Sequence, residues 1–113
     1  MAGLNFQHYK GDTFEEVAFQ ILVDNVALNL TNCVLTMQLR EECGGLIALN
    51  LTTVSSAGLT ITNAAQGRFK INKQIIDIDS GNYQYDIQLK LSNNDVKTYI
   101  KGEFLIECDI TRV

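Results

Sequence analysis

The amino-acid sequence predicts an all-β domain: an immunoglobulin-like antiparallel β-sandwich of roughly seven to nine strands, with a small closed barrel as the alternative. Three observations predict it. Apolar and polar residues alternate over several segments, and a period of two sends successive side chains to opposite faces of a pleated strand. Clusters of Gly, Asn, Asp and Ser punctuate those segments at fairly regular intervals. No long segment carries apolar residues at the spacing of an amphipathic helix.

The clearest strand runs from Gly81 to Leu91. Tyr83, Tyr85, Ile87, Leu89 and Leu91 fall on one side, and Asn82, Gln84, Asp86, Gln88 and Lys90 on the other. The same pattern returns from about Glu103 to Thr111. Before them, Leu4 to Tyr9 alternates briefly ahead of a turn at Lys10-Gly11-Asp12, and residues 1–10 are expected as an edge strand or arm. Val17, Phe19, Ile21 and Val23 form the next strand, which Asp24-Asn25 interrupts; Val26, Leu28 and Leu30 continue it past a kink or bulge. Leu35, Met37 and Leu39 mark a middle strand that ends at the Glu41–Gly45 turn. Ile47, Leu49 and Leu51 follow, then a turn at Ser55–Gly58, then Leu59 to Ile61. Asn63–Gly67 leads into Arg68–Ile71. Residues 73–79 admit either a single helical turn crossing between sheets or irregular extended chain. Ser92–Asp95 turns the chain into Val96–Ile100.

With 113 residues, the chain fits one domain, 1–113, large enough to hold a core without staples. A formal charge of −4 and scattered basic residues disfavour nucleic acid as a partner. No apolar run approaches the ~18 residues of a membrane span, and Met1–Asn5 lacks a basic-then-apolar leader. Synthesis in a host cytoplasm, with no membrane partner, is the expectation. Cys33, Cys43 and Cys108 form no C-x-x-C pair; Cys33 and Cys108 read as small core hydrophobes. Asn29-Leu30-Thr31 and Asn50-Leu51-Thr52 match the glycosylation pattern, read here as coincidental in the absence of a secretion signal.

The chemistry-bearing residues do not assemble into a catalytic motif, and no enzyme activity, cofactor or metal is expected. His8, the one histidine, has no nucleophile in a recognisable motif and reads as a surface or edge residue. Gly44-Gly45 lacks a following Lys and reads as a hairpin turn, not a phosphate cradle. Asp77, Asp79 and Asp86 lack the ligand ladder of a calcium loop. Glu103, Glu107 and Asp109 share the solvated face of one strand. Tyr83 and Tyr85 share a face with Ile87 and Leu89, so they are expected in the core with their hydroxyls near its rim. Among the tyrosines, that leaves Tyr9 and Tyr99 as candidates for a sugar-stacking surface.

Four phrases, in order, carry a resemblance: Lys10-Gly11-Asp12-Thr13-Phe14, Leu35–Arg40, Gly81–Leu89 and Gly102–Arg112. Together they resemble the small immunoglobulin-like domains of tailed-bacteriophage virion proteins, notably the N-terminal domain of baseplate upper proteins. The resemblance implies a non-enzymatic structural role: attachment of a larger protein to the tail or baseplate through protein–protein contacts. With the pattern closing at Val113, it implies a free-standing virion component, decoration or adaptor. The partners would be other virion proteins or further copies in a homo-oligomer or symmetric assembly, put together in the host bacterial cytoplasm. A carbohydrate-binding adhesion module is the alternative.

An antiparallel sandwich has edges whose backbone groups can pair with a neighbour. Leu4, Asn5, Phe6, Gln7, His8 and Tyr9 form the expected assembly edge, because Asn5, Gln7 and Tyr9 leave one side wet; a plain intramolecular edge strand is the competing reading of the same residues.

Overall fold

The computed structural model describes residues 2–3, 5–41 and 45–108. They form an all-β fold. The chain enters through β1 (Ala2–Gly3) and β2 (Phe6–Tyr9), turns, and places β3 (Thr13–Phe14) before β4 (Val17–Gln20). A short hairpin follows, β5 (Leu22–Val23) and β6 (Val26–Ala27), then β7 (Val34–Arg40) and β8 (Ile47–Thr52). After one turn of 3-10 helix come β9 (Leu59–Asn63), a second such turn, and β10 (Arg68–Ile71). The last elements are β11 (Gln74–Ile75), β12 (Gly81–Lys90) and β13 (Val96–Glu107).

The larger sheet has the order β1-β13-β12-β7-β8, with β2 continuing beyond β1 along β13. A three-stranded sheet has the order β4-β10-β9. Both sheets turn one face into a single core. Leu35, Met37, Leu39, Tyr83, Tyr85, Ile87, Leu89, Phe104 and Ile106 come from the larger sheet, and Leu59, Phe69 and Ile71 from the smaller. Every second residue of β12 from Tyr83 to Leu89 is buried, so the alternation read from the sequence is the alternation of burial.

The N-terminal segment pairs in a less expected way. β1 and β2 run parallel to β13, Ala2 opposite Ile100 and Phe6 opposite Phe104. Phe6 holds the segment down. Its ring centroid lies 5.2 Å from that of Phe104, 5.6 Å from Tyr85 and 5.8 Å from Phe14. Edge-on and tilted aromatic pairs of this kind contribute about 0.5–1.5 kcal/mol each beyond the area they bury.

Several expectations are corrected. Asp24 and Asn25 both take positive φ, 53° and 66°, so the chain reverses into the β5–β6 hairpin and Val26 does not extend the preceding strand. Leu22, Val23 and Val26 are consequently exposed. Gly67 fixes the base of that hairpin: at φ +68°, an added Cβ would lie 2.7 Å from the Ile21 carbonyl oxygen and 2.8 Å from that of Leu28. Of the two alternatives for residues 73–79 the extended one holds, with β11 pairing β3 and no helical turn. Val96 to Glu107 is one strand, because Gly102 stays in register opposite Tyr85 and does not break the ladder. Cys33 is buried as expected, but Cys108 is exposed: strand pairing stops at Glu107, one residue short of it. Leu4, Cys43, Asp109 and the end of the expected final strand lie outside the described residues.

Candidate functional site: the sheet edges and an acidic cleft

β2 forms one margin of the larger sheet. Along it Asn5, Gln7 and Tyr9 are exposed, while Phe6 and His8 are half-buried toward the aromatic cluster. The margin is tied down by polar groups at both ends. The Asn5 side-chain oxygen accepts the Glu103 backbone N–H at 3.0 Å, and the Lys10 N–H donates to the Glu107 carbonyl at 2.8 Å. His8 Nε2 donates to the Asp12 carbonyl at 3.0 Å, which fixes the proton on that nitrogen, and its ring packs edge-on to Phe14 at 5.4 Å. His8 is thereby committed to a turn. A shallow groove of about 310 Å³ runs between Asn5, Phe6, Gln7, Asn82, Glu103 and Leu105, bringing Asn5, Phe6 and Gln7 of the predicted edge together.

A larger concavity, about 590 Å³, lies between Glu41, Gly45–Ala48, Asp77–Asp79 and Tyr83. Three carboxylates line it, those of Glu41, Asp77 and Asp79, and its walls are braced from within the chain. Lys10 reaches Asp77 at 3.1 Å, and the Tyr83 hydroxyl donates to the Asp79 carbonyl at 2.7 Å. Burial, then the charges of Glu41 and Asp79, pushes the Tyr83 phenol above its ordinary value against an opposing pull from Lys10. A phenol held protonated and hydrogen-bonded as a donor braces the cleft wall. Asp86 lies apart on β12, opposite Gln38 and Lys101. Among the described residues no group of three or more His, Cys, Asp and Glu is arranged to hold a metal ion.

The tyrosines divide as the alternation predicts. Tyr83 and Tyr85 are buried, and burial pushes the Tyr85 phenol up to about 12. Tyr9 is 52% exposed, and Tyr99 is half-buried at a bulge in β13. Tyr9 pairs with Glu107, eight residues along β13 from Tyr99. At about 3.3 Å per residue they stand about 25 Å apart, too far to stack on one sugar ring.

β8 forms the opposite margin of the larger sheet and pairs with β7, its last residue Thr52 also bridging to Gly58. Leu46, 93% exposed, and Ile47, 47% exposed, stand at its start. Motifs in the sequence do not point to this margin, although a signal is there: from Cys43 to Gly67 there is no Asp, Glu, Lys, Arg or His, the longest uncharged run in the chain. Among the described residues no helix is long and apolar enough to cross a membrane.

The chain matches no protein-family model, no curated protein and no solved structure.

Proposed function

We propose that the protein is a non-enzymatic structural component of a tailed-bacteriophage virion, a tail or baseplate part, adaptor or particle decoration, working by protein–protein contacts. The observation that carries the reading is the strand order. With β4, β10 and β9 taken as B, E and D, and β7, β8, β12 and β13 as C, C′, F and G, the strand order is compatible with an immunoglobulin-like sandwich and supports that reading. The described parts of the phrases that resemble phage virion domains fall in the turn into β3, in β3 itself, and in β7, β12 and β13. An open sandwich of this kind has edges, and edges are where such a module joins its neighbours. The β2 margin, with Asn5, Phe6 and Gln7 beside a groove, is one proposed contact surface toward other virion proteins.

On this reading the protein is assembled into particles in the bacterial cytoplasm, without cofactor, nucleic acid or membrane as partner. The alternative, a carbohydrate-binding adhesion module, has less support, because two of the tyrosines are buried and the other two are far apart. Mass spectrometry of purified particles tests the proposal. The chain is expected at a fixed stoichiometry relative to other virion proteins; its absence from intact particles would overturn the reading.

A further inference from the structure

Four margins border the two sheets, and two of them, the β1–β2 margin and the β4 margin, are set among charges. β2 runs between Lys10 and Glu103, with Lys101 and Glu107 along the strand it pairs with. β1 lies opposite Lys101 on the same strand. β4 follows Glu15 and Glu16, which pair with Lys73 at 3.9 Å and Lys70 at 3.6 Å. Charged side chains at an edge are the usual protection against pairing with another chain. The other two margins depart from this. β8 ends the larger sheet, β9 ends the smaller one, and the two are joined at Thr52 and Gly58, so consecutive edge strands form one flank of the molecule. The whole of that flank lies within the uncharged Cys43–Gly67 run. The nearest cation on the neighbouring strand, Arg40, stands beside the start of β8 and is engaged within the chain: its guanidinium donates to the Gly45 carbonyl at 2.7 Å and to the Gln38 side chain at 2.9 Å.

We propose that the β8 margin is a self-association edge, at which β8 pairs antiparallel with β8 of a second copy of this chain about a two-fold axis. The occupant follows from charge. Two copies of a chain carrying −4 repel, and the uncharged part of the flank beyond Gly45–Ala48, the segment that lines the acidic cleft, is where they approach with least opposition. An isologous pair also sets each strand against itself, so any charged residue on it would stand near its own like-charged mate. β8 contains none. A foreign partner chosen by complementary charge would find nothing on this flank to read. The backbone groups in question are those of Asn50: the Thr52 N–H points outward and is taken up by the Ala57 carbonyl at 2.8 Å, and alternation along the strand aims the N–H and C=O of Asn50 the same way.

The inference rests on the assembly reading above, and its test is independent of it. Sedimentation velocity on the full chain, up to on the order of 100 µM, is expected to give a dimer. Asn50→Lys and Asn50→Glu should each weaken it by at least about tenfold, because either charge meets its own copy. An equimolar mixture of the two variants should restore association. A monomeric wild type, a dimer indifferent to both variants, or weakening without rescue in the mixture overturns the proposal. Circular dichroism of each variant separates lost association from lost folding. If the wild type is monomeric yet present in particles, the β8 edge fails and the virion reading stands. A charge-sensitive dimer missing from particles does the opposite: the β8 edge stands and the virion reading fails.

Discussion

At one margin of the larger sheet, β2 is held by an aromatic anchor, a side-chain cap and a histidine locked to a turn; at the other, β8 leans on β7 and is joined to β9 by the Thr52–Gly58 bridge. The first margin is built inward. Phe6 reaches Phe14, Tyr85 and Phe104, so the strand is part of the core's support as well as its border. The second is built outward, with Leu46 and Ile47 exposed and no charged residue on the strand itself. An edge that contributes to stability resists change through folding, whereas an edge that contributes little to stability is free to be shaped by contacts with other chains.

The largest expected effect follows from Phe6→Ala. Removing a half-buried ring with three aromatic neighbours should cost about 2–3 kcal/mol, at or below the low end for core aromatic truncations because the ring is not fully enclosed. Urea denaturation measures it. A cost near zero would mean that β2 is a detachable arm, and the contrast between the two margins would collapse.

Gly58→Ala addresses the join of β8 and β9. At φ +98°, an added Cβ would lie 2.4 Å from Leu51 Cδ2 and 3.0 Å from Leu51 Cβ. Backbone strain and the displaced leucine together should cost about 1–2 kcal/mol in the same assay. If the flank is as lightly tied as its hydrogen bonds indicate, hydrogen exchange in β8 should rise while β2 is unchanged.

Alkali gives a third handle, on the β2 side. The folded Tyr85 phenol titrates at about 12 and an unfolded one near 10, so the folded state holds its proton where the unfolded state has lost it. Stability should therefore be intact below pH 10 and decline from pH 10 to 12. Tyr85→Phe should flatten that decline, as read from denaturation midpoints across the range; an equally steep decline in the variant would assign it to other groups.

Much of this architecture is legible in the sequence where side-chain periodicity and burial coincide. Tyr83 to Leu89 and Leu35 to Leu39 read correctly because each lies on an interior strand with one wet face. The errors fall where strands end or chains reverse. Cys108 has the right parity for the core, but parity cannot say where pairing stops. Asp24-Asn25 carries the residue types that adopt positive φ, yet a kink and a two-residue hairpin share those types. The parallel pairing of β2 with β13 joins residues about a hundred positions apart, beyond any local pattern. Of the two margins, β2 is visible through its polar alternation. β8 escapes notice because its signal is the absence of charge over a long run, which no motif records.

The finest comparison sets two asparagines against each other. Asn5 gives its side-chain oxygen to the Glu103 backbone N–H at 3.0 Å, bridging the N-terminal segment to β13; Asn50 accepts from the Gln38 side chain on the outer face, also at 3.0 Å. Asn5→Ala should cost about 0.5–1 kcal/mol, the usual worth of one such bond at an exposed site. Asn50→Glu should stay within about 0.5 kcal/mol, because a surface bond between two wet side chains exchanges readily for water and the new carboxylate lies on the same outer face as Arg40. The same substitution is the one expected to weaken self-association, so stability and assembly should separate at a single residue. Were Asn50→Glu to destabilise the fold more than Asn5→Ala, β8 would belong to the molecule's support and β2 would be its freer edge.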